Sequence, residues 1–68
     1  MKIEYSQDIQ LTEIDKHIVK KILKLYFCDI QNNQTFIIEE EGYVIIGEKE
    51  NDILKIQRIH KNVHSLND

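Results

Sequence analysis

Sixty-eight residues with a formal net charge of −3 bound this chain to one small domain with a marginal core. A single cysteine, Cys28, excludes a disulfide framework and a metal cage of several thiolates. For so short a chain, association with itself or with a partner is the expected source of further stability.

Residue usage is skewed: thirteen isoleucines, eight lysines against one arginine, and no alanine, proline or tryptophan. Those choices follow AT-rich codons and point to an AT-rich bacterial or phage genome. The first ten residues, MKIEYSQDIQ, contain no uncharged hydrophobic core and no small-residue cleavage site, and no apolar run approaches the length of a membrane span. With one free thiol, the expected compartment is the cytoplasm of a bacterial cell.

The N-terminal MKIEY, with Ile3 and Tyr5 on one side, has the alternation of an edge strand. Thr12-Glu13-Ile14-Asp15 then resembles a capping box, with aspartate in place of the usual glutamate. A helix over about 13–28 follows. Leu11, Ile14, Ile18, Ile22 and Leu25 share one narrow arc, which Val19, Leu23 and Tyr26 widen to half the circumference. Glu13, Lys16, His17, Lys20, Lys21 and Lys24 occupy the opposite arc. Phe27 intrudes on that polar side and marks the end of the helix. DIQNNQ, residues 29–34, is turn chemistry from its two asparagines.

Three strands fit 35–40, 43–48 and 53–60, which are rich in isoleucine, valine and aromatic residues. Glu41-Gly42 makes the first hairpin loop, and Gly42 supplies the positive φ such a loop needs. Lys49–Asp52 makes the second. Pairing Glu40 with Tyr43 sets Ile38 opposite Ile45 and Phe36 opposite Gly47. Pairing Glu48 with Ile53 sets Ile45 opposite Ile56. One face then carries Phe36, Ile38, Tyr43, Ile45, Leu54 and Ile56, and the helix belongs on it. The other face carries Thr35, Ile37, Glu39, Val44, Ile46, Glu48, Ile53, Lys55, Gln57 and Ile59. The predicted fold is α+β: one amphipathic helix on a three-stranded antiparallel meander, with MKIEY as a further edge strand and a polar tail over 61–68. This order and these motifs carry no resemblance to a named family.

The second face holds more apolar surface than one helix can cover. Ile37, Val44 and Ile46 sit at its centre, with Ile53 and Ile59 at the margin. Contiguous apolar surface of this kind marks a contact site. A tail helix built on Ile59, Val63 and Leu66 is the competing cover. The expected function is a small non-enzymatic protein-binding module, in the manner of a phage or mobile-element inhibitor or regulator that occupies a host protein's surface. The partner is that host protein or a second copy of the chain.

The alternative class is a nucleic-acid-binding regulator that uses Lys16, Lys20, Lys21 and Lys24. No aromatic residues alternate with these lysines, as stacking on bases would require. Helix lysines near a C-terminus also complement the helix dipole without any ligand. The glutamates divide between the two ends of the sheet, Glu39–Glu41 at one and Glu48–Asp52 at the other, and suit edge protection. His60 and His64 have the spacing of a weak metal pair, with His17 and Cys28 the only other soft donors, and no metal or cofactor is expected. Glycine-rich phosphate loops and nucleophile motifs are absent, Cys28 reads as a packing residue at a helix end, and no enzymatic activity is expected.

Overall fold

The structure, a computed structural model, describes residues 1–61. Its elements are β1 (Lys2–Tyr5), α1 (Glu13–Tyr26), a single 3₁₀ turn (Phe27–Asp29), β2 (Gln34–Glu40), β3 (Tyr43–Glu50) and β4 (Ile53–Lys61). One helix lies on a four-stranded mixed sheet of order β1-β4-β3-β2. The meander β2-β3-β4 is antiparallel, and β1 joins it as an edge strand parallel to β4. The Val63–Leu66 part of the expected tail lies outside the described residues.

The capping box forms as the sequence indicates. Asp15 N donates to Thr12 Oγ1 at 3.1 Å, and Thr12 N donates back to Asp15 Oδ2 at 3.2 Å. Caps of this type stabilise a helix by about 1 kcal/mol. The helix ends two residues earlier than expected, at Tyr26, and Phe27 opens the 3₁₀ turn. Lys49, reaching across from β3, secures this end. Its Nζ donates to Phe27 O and Ile30 O, both at 2.9 Å, and stands 3.9 Å from the Phe27 ring centroid. One ammonium thus satisfies terminal carbonyls and gains a cation–π contact.

Asn33 takes a left-handed conformation, φ 64°, in the turn before β2. The β2–β3 loop is two residues, Glu41 and Gly42, with φ of 50° and 81°. Both values are positive, as a twisted two-residue hairpin requires. The β2–β3 register matches the sequence reading: Glu40 opposite Tyr43, Ile38 opposite Ile45, Phe36 opposite Gly47.

β3 and β4 pair differently from expectation. The strands run on to Glu50 and Ile53, leaving only Asn51 and Asp52 as the loop, with Asn51 at φ 57°. The shift is two residues, so the faces hold as far as Ile56. There the register slips: Gly47 pairs with Ile56 but Ile46 pairs with Arg58, which leaves Gln57 as an unmatched extra residue. This bulge inverts the faces beyond it. Ile59 therefore pairs with Ile45 and packs against the core, not on the outer face to which simple alternation assigns it.

All six residues assigned to the core face are buried: Phe36, Ile38, Tyr43, Ile45, Leu54 and Ile56. Val19, Ile22 and Leu23 of α1 complete the cluster. Gly47 is obligatory within it. A Cβ there would stand 2.5 Å from Lys55 O and 2.9 Å from the Phe36 ring, which lies over the glycine. The helix is rotated away from the expected arc. Val19 and Leu23 are fully buried, while Ile14 and Leu25 are 72% and 75% exposed. Asp15 accounts for the rotation. It lies on the buried side and accepts a hydrogen bond from Tyr43 Oη at 2.6 Å, with Lys61 Nζ at 3.2 Å. A buried carboxylate needs such partners, and meeting them turns Ile14 outward.

Candidate functional site

The sheet face away from α1 has no covering layer among the described residues. Its side chains fall into cross-strand rows fixed by the register. Ile37, Ile46 and Arg58 form one row, and Glu39, Val44 and His60 the next toward the β2–β3 loop. Thr35, Glu48, Lys55 and Glu4 form a polar row on the other side, and Glu50 with Ile53 lies beyond it.

Three of the five predicted contact residues come together. Ile37 and Ile46 are directly opposed, and Val44 is two residues along β3 from Ile46 on the same face. Ile37 is 67% exposed, and Val44 and Ile46 are half-buried. Ile53 is on the same face but is separated from this group by Glu48 and Lys55. Ile59 is on the core side, as described above. The resulting group is compact and belongs to the β2–β3 half of the sheet.

The β4–β1 half is polar. Lys55 Nζ binds Glu50 Oε1 at 2.6 Å, and Lys2 Nζ stands 3.7 Å from Glu4 Oε2. The hydrogen bond to Glu50 raises the Lys55 ammonium above its usual pKa. Such surface pairs contribute little to stability. They do keep this half of the face hydrated and confine the apolar group to the other half.

A second apolar surface, which the helical wheel does not reveal, flanks α1. Lys16 and Lys20 line a hollow with Met1, Lys2, Ile3 and Tyr5, which places their side of the helix above β1. At about 100° per residue, Ile14 and Leu25 fall on the other flank, toward β2. Half-buried Ile18 lies between them. Exposed apolar side chains therefore stand on both sides of the sheet, Ile37 on the outer face and Ile14 and Leu25 on the flank of α1 that is turned away from β1. The sequence signal for this was available in Asp15: a carboxylate near the middle of a wide apolar arc is a candidate for a buried partner.

The four predicted lysines are all exposed. Lys16, Lys20 and Lys24 form a stripe at four-residue spacing, and Lys21 is turned about 100° from Lys20. Lys2 lines the same hollow, but its ammonium lies on the outer face beside Glu4 and not with the helix lysines. The glutamates lie at the two ends of the sheet, as read, and Glu40 is engaged by the Tyr26 hydroxyl, an interaction that raises the Tyr26 pKa. Cys28 is exposed in the 3₁₀ turn, which corrects its reading as a packing residue. Among the described residues no three potential ligands cluster as a metal site, and no helix is long and apolar enough to cross a membrane. His64, half of the suggested histidine pair, lies outside the described residues.

No protein-family model, no curated protein and no solved structure matches the chain.

Proposed function

We propose that this protein is a small non-enzymatic binding module that acts by occupying the surface of another protein, in the manner of a phage or mobile-element inhibitor or regulator of a bacterial host. The observation that carries the reading is the outer apolar group. Ile37 is 67% exposed and faces Ile46, with Val44 beside them, on a sheet face that no described element covers. Water contact at such a group is unfavourable by about 25 cal/mol per Å² of apolar surface, and a partner removes it. The polar half of the face, with its Lys55–Glu50 pair, is suited to the rim of such an interface.

The test is affinity capture from nuclease-treated bacterial lysate, with wild type beside Ile46→Lys and retained proteins identified by mass spectrometry. Circular dichroism first establishes that the variant folds. A protein held by wild type and lost by Ile46→Lys supports the reading. No specific protein in either lane overturns it.

One observation favours a second class of partner. Lys16, Lys20 and Lys24 stand as an exposed stripe along α1, and Lys16 and Lys20 border the hollow above β1. A nucleic-acid ligand on this surface would show steep salt dependence and would be lost in Lys20→Glu/Lys24→Glu while surviving Ile46→Lys.

A further inference from the structure

The two edges of the sheet are finished differently. β1 offers four residues, with Lys2 and Glu4 on its outer face. Short edges and edge lysines are the devices by which sheets avoid pairing with other chains. β2 offers seven residues, Gln34–Glu40, in unbroken register with β3 and without a bulge, proline or lysine; its charges, Glu39 and Glu40, are confined to the end at the β2–β3 loop and leave Gln34–Ile38 uncharged. Among the described residues no strand pairs with its other side.

We infer that β2 pairs antiparallel with β2 of a second copy, about a twofold axis through Ile37, joining two sheets into one. Side-chain chemistry selects the register. With the axis at Ile37, Phe36 opposes the partner's Ile38, Thr35 opposes the partner's Glu39 and Gln34 opposes the partner's Glu40. Moving the axis to Ile38 sets Ile37 and Phe36 against the partner's Glu39 and Glu40. Moving it to Phe36 sets Gln34 and Thr35 against the partner's Ile38 and Ile37. Of the three, the Ile37 axis alone matches apolar with apolar and polar with polar, and it opposes no two carboxylates.

This axis stands perpendicular to the sheet, so both helices remain on one face. The exposed flank of α1, with Ile14 and Leu25, then looks toward the seam. On the opposite face Ile46 and Ile37 meet the partner's Ile37 and Ile46 in a single row. Two small apolar groups become one field, and the longest open edge is closed. The inference does not depend on the identity of any other partner. Ile46 lies one strand in from the seam, so Ile46→Lys leaves the β2 edge intact, and Thr35 lies outside the apolar group.

Sedimentation velocity over a concentration series tests it, with each variant checked for folding. Wild type is expected to be a reversible dimer. Thr35→Lys places an ammonium opposite the partner's Glu39 at two symmetry-related positions and is expected to tighten the dimer about fivefold. Thr35→Glu opposes carboxylates at both positions and is expected to loosen it about fivefold. A strictly monomeric wild type overturns the inference. So does a dimer that ignores both changes or responds to them in the same direction.

Discussion

The same three strands, β2, β3 and β4, build both faces of the sheet, and the two faces are held to different rules. On the α1 side six strand residues meet Val19, Ile22 and Leu23, and the one charge admitted, Asp15, is fully engaged by Tyr43, Lys61 and Thr12. On the other side Ile37, Val44 and Ile46 stand beside Arg58, His60 and Glu39 with nothing above them among the described residues. One face is a solved packing problem. The other retains apolar surface that folding did not require it to hide. Apolar content alone therefore does not identify a core; closure by a second layer does.

The contrast is sharpest in truncation. Leu54→Ala removes a side chain with no exposure and is expected to cost about 2–5 kcal/mol. Ile37→Ala on the outer face is expected to stay within about 0.5 kcal/mol in the monomer, at concentrations below dimerisation. Urea unfolding of both variants measures the difference, and equal losses would mean that the outer group is already covered.

Gly47→Ala asks whether the two strands can part at the bulge. The added Cβ meets the Lys55 carbonyl and the Phe36 ring, and the expected loss is about 1–3 kcal/mol by thermal melting.

Asp15 gives the core face a pH dependence that the outer apolar group lacks. The Tyr43 hydroxyl, foremost among its partners, holds its carboxyl well below the usual range, at about 2. A carboxylate whose folded pKa is lowered stabilises fully above its unfolded pKa of about 4. That contribution is lost as pH falls toward about 2. The stability gap between wild type and Asp15→Asn is therefore expected to be open at neutral pH and to close over this window, as melting curves across a pH series would show. A gap that stays constant to pH 2 would remove Asp15 from this role.

The smallest effect is expected on the flank of α1. Ile14→Gln and Leu25→Gln should each change the melting free energy by less than about 0.5 kcal/mol in the monomer. A large loss at either position would return the helix to the orientation that its apolar arc suggests.

A two-residue loop made the register of the β2–β3 hairpin legible, because Glu41-Gly42 fixes the register and the register fixes the faces, although the strands run on to Gln34 and Glu50 beyond the expected 35–40 and 43–48. β4 was legible only to Ile56. Gln57 is an ordinary strand residue in sequence, and the bulge that it forms moves Ile59 from one face to the other. The helix was legible in position but not in rotation. Counting apolar residues centres the arc near Ile18, whereas the buried side is set by partners of Asp15 that come from β3 and β4. The neighbour of β1 left no local mark either, since parallel pairing with β4 is decided by the whole topology. Of the candidate site, Ile37, Val44 and Ile46 were visible because they follow from the hairpin. The exposed Ile14 and Leu25 were not, because they follow from the helix rotation.

The most direct measurement runs Ile46→Lys and Lys20→Glu/Lys24→Glu in parallel against wild type in affinity capture from nuclease-treated bacterial lysate. The outer-face account predicts a protein partner retained by wild type and by the lysine double variant and lost by Ile46→Lys. Retention by Ile46→Lys together with loss in the lysine double variant would contradict it and move the site to the α1–β1 surface.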